Sequence, residues 1–362
     1  MPSRAQFILD KMNEAIVANQ SKFKRSYLGA SSIGSSCERA LQYSFRHCTD
    51  SGFSAISLKR FEDGHHSESV YIKRLLDAGY DLEHDDNGVQ YGFSSLGGWF
   101  RGHRDGRFRI IPEFGQAIWE HKSSKKWSTL AKLVEKDEST ALLNWNKVYY
   151  DQAQVYMGHS GVHYHITTAA GEGSREECIC VTEFNQEAFD EIQKKAERII
   201  TTDRLLPKIG SAMYFECKWC DANDICHQGA VPAPNCRNCA ALDFKADGKT
   251  KAVCNRWSEY DESGNMVSEA KWEEDTKALE QYYPCHMYIP DLIGEEEAKL
   301  IKENGGFSLQ YEKDGVTFRN GQGEGAMSSS EIYENQKTKP WLTKAQEIKN
   351  AFNGKFENWE KK

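Results

Sequence analysis

Apolar positions return at helical spacing from residue 4 to 20, then break at a basic cluster, Lys22–Arg25. A Gly/Ser-rich turn from Gly29 to Ser36 follows, and a second helix is predicted to begin near Ser36 with Cys37 and Arg39 in its first turn. From Ser57 to Gly79 the pattern is helical again. Phe61, Val70, Ile72, Leu75 and Leu76 supply the apolar face, and Gly79 acts as the stop. Next come strand-like segments at Val89–Phe93, Trp99–Ile111 and Ala117–Lys122, the middle one alternating through Phe100, Phe108 and Ile110 as a half-buried hairpin. Helical spacing resumes from Leu142 to Met157, closed by Gly158 and Gly161. Val162–Ala169 and Glu177–Phe184 read as paired strands, and Asn185 caps a helix running to about Thr202. Strands flanked by helices predict an α/β core with a mixed central sheet.

The texture changes after Gly229. Val231–Pro234 (Val-Pro-Ala-Pro) reads as a hinge, and residues 243–280 are rich in charge and glycine. Between Leu292 and Lys362 the pattern predicts a short helix, a hairpin around Val316–Asn320 and a polar tail. No repeat is evident. The division expected is 1–230 as the main domain, 231–290 as a small cysteine-rich module and 291–362 as an extension.

Composition narrows the class. The 362 residues are 39% hydrophobic and 12% aromatic, ample for a core, and no run approaches the 18 apolar residues of a membrane span. The N-terminus lacks the apolar stretch of a signal peptide, so a cytoplasmic location is expected, where thiols stay reduced. Eleven cysteines, several in Cys-x-x-Cys spacing, then favour metal ligation over disulfides. A net charge of −8 argues against a uniformly basic nucleic-acid-binding surface. Locally the sign reverses: Arg101, Arg104, Arg107, Arg109, Lys122, Lys125 and Lys126 outnumber Asp105, Glu113 and Glu120 between Trp99 and Trp127. That surplus would serve phosphate binding, or would simply be a solvated strand face.

The chemistry-bearing residues cluster in order between 64 and 156. Asp105 and Glu120 are expected on adjacent strands, holding Mg²⁺ or Mn²⁺, since hard cations take oxygen ligands. Lys122, two residues beyond Glu120, would share its face and balance charge growing on a phosphorus centre. Glu68, on a helix, would complete the metal's ligands, with His121 a further candidate. Gln152 and Tyr156, four apart on one helical face, would position Lys122 or a nucleic-acid strand. Taken singly, each of these residues also fits a bland role: a surface ion pair, or for Tyr156 a core aromatic.

Gly64-x-x-x-Glu68, Gly102-His-Arg-Asp105, Glu120-His-Lys122 and Gln152-x-x-x-Tyr156 together resemble the PD-(D/E)xK nuclease superfamily, in its RecB-like branch. One departure stands out. Where many relatives end the first motif in a metal-binding histidine, this chain has Glu68, with His65 and His66 just after the glycine. The resemblance spans about residues 25–230. It implies a restriction-endonuclease-like core and a metal-dependent deoxyribonuclease, most simply an exonuclease acting on single- or double-stranded DNA ends in recombination, repair or spacer processing. Recombination or CRISPR-adaptation proteins would be its partners, and no membrane is involved. The intact Asp105, Glu120 and Lys122 argue against a second reading, an inactive DNA-binding or adaptor protein on the same scaffold. A third is a restriction-type endonuclease with the C-terminal cysteines as its reader.

Two thiol sets remain. Cys217-x-x-Cys220-x5-Cys226 is a compact ligand set, and Cys37 lies far upstream. Four thiolates suit tetrahedral zinc or an iron–sulfur cluster equally. Here the resemblance to the CRISPR-associated RecB-like iron–sulfur nucleases implies a [4Fe–4S] cluster of structural role, and the extra C-terminal cysteines would suit a phage-encoded version acting in the host cytoplasm. Cys236, Cys239, Cys254 and Cys285, with spacers of 2, 14 and 30, read as a zinc-ribbon-like site, with His286 an alternative fourth ligand. They also fit ordinary thiols. Cys178 and Cys180 alternate on one strand face as core residues, and Cys48 is read as structural, though it competes with Cys37.

Overall fold

The computed structural model describes residues 4–20, 24–49, 52–272, 277–293, 298–303, 306–313 and 316–338; the expected tail at 339–362 lies outside them. Helix α1 (Arg4–Ala18), strand β1 (Leu28–Gly29), α2 (Glu38–Phe45) and α3 (Ala55–Asp77) open the chain. Four short strands follow: β2 (Leu82–Glu83), β3 (Asp85–Asp86), β4 (Val89–Gln90) and β5 (Gly92–Ser95). Then come β6 (Phe100–His103), β7 (Gly106–Ile111), β8 (Gly115–Ser123), α4 (Trp127–Trp145), α5 (Lys147–Ser160), β9 (Tyr164–Ala170), β10 (Glu177–Glu183) and α6 (Gln186–Thr201).

The main sheet has the order β10-β9-β8-β7-β2, with β8 and β9 parallel and the other pairs antiparallel. It is the mixed sheet of an α/β fold. Strand alternation divides it cleanly. Ala117, Trp119, Ile166 and Ala170 pack with Tyr71 of α3 on one face. Ile118 and Ala169 join Leu130, Leu142, Val155 and Ile192 of α4, α5 and α6 on the other.

Two expected elements are divided. The Trp99–Ile111 strand is broken at Arg104–Asp105: β6 belongs to a separate small sheet, β1-β6-β5, whereas β7 joins the main one. Glycines permit the change of sheet. A Cβ on Gly102 would stand 2.7 Å from the Tyr156 ring and 2.8 Å from Ala30 and Phe93, and one on Gly106 would stand 3.0 Å from Leu82 and Trp119. The Leu142–Met157 helix is likewise interrupted at Asn146, whose side-chain oxygen accepts the Val148 N–H at 2.9 Å and starts α5 afresh. Gly161, in the left-handed conformation at φ +64°, ends α5.

Beyond residue 230 the chain does not swing away. Val231, expected in a hinge, is buried; its N–H donates to the Gln336 side chain at 3.1 Å, which donates back to the Val231 carbonyl at 2.8 Å. Tyr288 Oη donates to the Pro232 carbonyl at 2.6 Å. Leu242–Phe244 and Ala252–Cys254 form a hairpin whose Phe244 packs edge-on against Trp99 at 5.1 Å and against Phe45 at 4.8 Å. Proline-rich composition suggested a linker, but apolar burial on both sides holds it. The hairpin expected around Val316–Asn320 is Gly306–Lys313 with Val316–Gln322, joined by Ala298–Glu303 as a third antiparallel strand. Among the described residues no helix is long and apolar enough to cross a membrane.

Candidate active site

Where the chain leaves the small sheet for the large one, Asp105 is set against β8. Its carboxylate Oδ2 accepts the backbone N–H of His121 at 2.8 Å, and its own backbone N–H donates to Glu120 Oε1 at 3.3 Å. Glu120 Oε2 accepts from Lys122 Nζ at 2.7 Å, the two side chains sharing one face of β8 as alternation requires. The Lys122 ammonium also lies 5.1 Å from the centre of the Tyr149 ring. Glu68 reaches the same space from α3, held by Gln90 Nε2 of β4 at 3.0 Å. On α5, Gln152 Nε2 donates to Tyr156 Oη at 3.3 Å, and Tyr156 Oη donates to the His103 carbonyl at 2.7 Å. Glu68, Asp105, Glu120, Lys122, Gln152 and Tyr156 all line one cavity of about 750 Å³.

Crowding three acids into a partly desolvated space is unfavourable while they are ionised. Burial, and then the neighbouring Asp105 carboxylate, lift Glu120 to about 8 and Glu68 to about 7. Burial raises Asp105 as well, against the pull of Lys122. Burial opposes the charge on Lys122, but Glu120 and Asp105 outweigh it and hold the ammonium well above the usual lysine range. Lys122 is the cation bonded within this cluster of carboxyl groups, while Arg25 and Arg101 stand on the wall of the same cavity. The donor set, all oxygen and short of positive charge, suits a hard divalent cation. Among the described residues, however, no three His, Cys, Asp or Glu side chains are grouped ready to hold a metal ion, and Lys122 itself occupies one oxygen of Glu120.

Two expectations are corrected. His121, expected among the metal ligands, points through the opposite face of the sheet. There its Nε2 meets Ser67 Oγ at 2.7 Å, its Nδ1 meets Thr168 Oγ1 at 2.9 Å, and its ring stacks on Tyr71 at 4.3 Å. With both ring nitrogens engaged and burial lowering it to about 4, it is a neutral buttress that serves the site through its backbone N–H. The basic surplus also disperses. Arg104 pairs with Glu83 at 3.2 Å, Arg109 with Asp81 and Glu83, and Lys125 with Glu172, so of that stretch only Arg101 and Lys122 line the cavity.

Two further cavity residues, Arg25 and Tyr27, were not visible in the sequence as site residues. Arg25 and Arg101 stand over the Tyr27 ring at 5.3 and 5.5 Å, and all three line the cavity wall. Arg25 sits more than 70 positions from Arg101, and only the parallel pairing of Leu28–Gly29 with Phe100–Arg101 brings them together.

The thiols fall into two groups. Cys37, Cys217, Cys220 and Cys226 line a cavity of about 20 Å³, with Cys37 Sγ accepting the Ala40 N–H at 3.4 Å at the start of α2. Cys236, Cys239, Cys254 and Cys285 line another of about 90 Å³, where His286 also lies, its Nε2 against Asn238 Oδ1 at 2.9 Å. Cys48 is buried and lines neither, while Cys178 and Cys180 are buried on β10.

No family model matches the chain, and no curated protein does. Solved structures give partial likenesses. A protein named SSO0001 is 15% identical at a TM-score of 0.35, covering 62% of this chain and 96% of its own. An alkaline exonuclease from Laribacter hongkongensis is 13% identical at 0.33, covering 51% and 90%. A phage-related exonuclease from Haemophilus somnus is 14% identical at 0.30, covering 39% and 69%. Likeness this loose transfers no role to any residue.

Proposed function

We propose that the chain is a metal-dependent deoxyribonuclease, most simply an exonuclease, with Glu68, Asp105, Glu120 and Lys122 at its centre. The observation that carries the reading is their convergence, with Gln152 and Tyr156, on one cavity of about 750 Å³. Glu68, Asp105 and Glu120 would hold Mg²⁺ or Mn²⁺, which when bound supplies charge neutralisation and a lowered water pKa. Lys122, held by Glu120, keeps a fixed positive charge beside the carboxylates, where negative charge grows as a water oxygen bonds to phosphorus and the bond from phosphorus to the departing sugar oxygen breaks. Arg25 and Arg101 add a cationic wall suited to flanking phosphates. The Tyr156 bond to the His103 carbonyl steadies the backbone just before Asp105.

The same reading assigns Cys37, Cys217, Cys220 and Cys226 to a [4Fe–4S] cluster of structural role. Its support is that four thiols, one upstream of the catalytic motifs and three beyond them, share a single small cavity. DNA is the substrate and a cytoplasmic compartment the setting. The direct test is Lys122→Ala assayed on end-labelled DNA with Mn²⁺. Digestion should fall by roughly 100-fold or more while circular dichroism stays unchanged; wild-type rates in the variant would remove Lys122 from the chemistry.

A further inference from the structure

Cys236, Cys239, Cys254 and Cys285 come from three separated stretches of chain yet share one cavity, whose wall also includes Trp257, Trp272, Arg256 and His286. Cys236 and Cys239 bracket a single 3-10 turn, Cys236–Asn238. Cys254 ends the Phe244 hairpin, and Met287, two residues past Cys285, sends its N–H to Cys239 Sγ at 3.5 Å. Ala241 N–H reaches the same sulfur at 3.4 Å. Four cysteines lining one cavity supply the donor set of a structural tetrahedral site.

Between two of these cysteines lies Arg237, whose side chain is fully buried (0% exposed). Its guanidinium lies against Phe45, Trp99 and Phe244 at 4.8, 5.4 and 5.3 Å. Its Nε donates to the Phe45 carbonyl at 2.9 Å and its Nη2 to the Ser26 carbonyl at 3.0 Å. Ser26 is flanked by Arg25 and Tyr27, both on the wall of the catalytic cavity. A buried guanidinium is costly unless its partners are held in place. The Cys236–Asn238 turn that carries it is closed by a reciprocal capping box between Asn235 and Asn238.

We propose that Cys236, Cys239, Cys254 and Cys285 hold one zinc ion. By pinning both ends of the Cys236–Cys239 turn, the ion sets Arg237 as a positioning residue for the Arg25–Ser31 wall. The link to catalysis rests on the nuclease reading; the metal site and the positioning do not.

The experiment uses the full chain purified anaerobically, with metal content by mass spectrometry and amide exchange at Leu28 and Ala30, whose N–H groups bond Trp99 and Arg101 carbonyls at 2.8 and 2.9 Å. One zinc per chain is expected in the wild type, retained in Lys122→Ala and Cys37→Ser and lost in Cys254→Ser and Cys285→Ser. Should those last two fail to fold, a mercurial titration of the wild type should release the zinc as four thiols are consumed. Arg237→Lys should keep the zinc while exchange at Leu28 and Ala30 rises roughly tenfold, and KM for DNA should rise more than kcat falls. Absence of zinc, iron at this set, or zinc retained in folded Cys254→Ser overturns the site. Wild-type exchange in Arg237→Lys overturns the positioning role. No Mn²⁺-dependent digestion of DNA by the wild type would sink the nuclease reading and leave both of these results standing.

Discussion

The backbone N–H of Asp105 donates to the carboxylate of Glu120, and the Asp105 carboxylate accepts the next N–H along β8, that of His121. Each carboxylate is therefore held by a backbone N–H of the other segment, Asp105 sitting in the bend just before β7 and Glu120 on β8, so neither acid depends on the other's side chain for its place. Asp105→Ala should consequently do more than remove a carboxylate: it leaves the buried His121 N–H without its acceptor. A cost of about 1–3 kcal/mol in urea unfolding is expected, alongside loss of Mn²⁺-dependent DNA cleavage. Asp105→Asn, which keeps an oxygen there, should recover most of the stability and none of the activity.

Acid crowding predicts a pH dependence whose sign is set by the direction of the shifts. Glu120 rises from 4.5 to about 8 and Glu68 from 4.5 to about 7. The folded state then binds more protons than the unfolded one across that window, so stability is greatest at the acid end and is lost as pH climbs toward 8. Metal-free protein should melt at progressively lower temperature between pH 5 and pH 8, and Glu120→Gln should flatten that slope. Mn²⁺, which favours the ionised carboxylates, should raise Tm more at pH 8 than at pH 6. A metal effect of equal size at both pH values would count against carboxylate ligation.

The motif glycines should behave oppositely. Gly102 has no room for a methyl group, which would fall 2.7 Å from the Tyr156 ring and 2.8 Å from Ala30 and Phe93. Gly102→Ala should cost about 1–3 kcal/mol and disturb Tyr156. Gly64 lies inside α3, and a Cβ there meets nothing within 4 Å. Gly64→Ala should stabilise the protein by up to about 1 kcal/mol, the ordinary helical gain. If both variants melt alike, the crowding argument fails.

These contrasts show what was legible in the sequence. Helix α6 follows from apolar periodicity because it buries one well-marked face; α3 and the β9–β10 pair form where expected, but α3 buries Ser67 and Tyr71 while Phe61 and Leu76 of its expected apolar face stay exposed. Glu120 and Lys122 share a face by the two-residue repeat of a strand, which no tertiary contact can change. The same repeat, applied strictly, would have sent His121 away from the metal. The division of Trp99–Ile111 between two sheets falls where residues 101–107 carry no apolar side chain, and close packing at Gly102 and Gly106 marks the change. Helix α4 before Leu142 was also missed, its apolar pattern interrupted where the backbone kinks at Asp137. Arg25, Tyr27 and Arg237 depend on contacts between distant segments, which periodicity does not carry.

The cluster assignment makes a visible prediction. Anaerobically purified protein should be brown, with broad absorption near ~400 nm. Cys37→Ser should bleach it and loosen α2 from the segment around Glu216, which Ser36 contacts through its hydroxyl. Colourless protein containing no iron would refute the assignment.

Tyr156 offers the last test, because its hydroxyl serves the site through the backbone alone. It donates to the His103 carbonyl at 2.7 Å, two residues before Asp105, and receives the Gln152 amide at 3.3 Å. Tyr156→Phe keeps the ring that packs beneath Gly102 and removes the bond to the His103 carbonyl, so about 1 kcal/mol of stability should be lost. If the hydroxyl positions Asp105, kcat in Mn²⁺ should fall with KM for DNA little changed, because substrate contacts at Arg25 and Arg101 are untouched. A purely packing role predicts the stability loss with kcat intact. Urea unfolding and steady-state kinetics on the same variant separate the two, and an unaltered kcat would release Tyr156 from the catalytic arrangement.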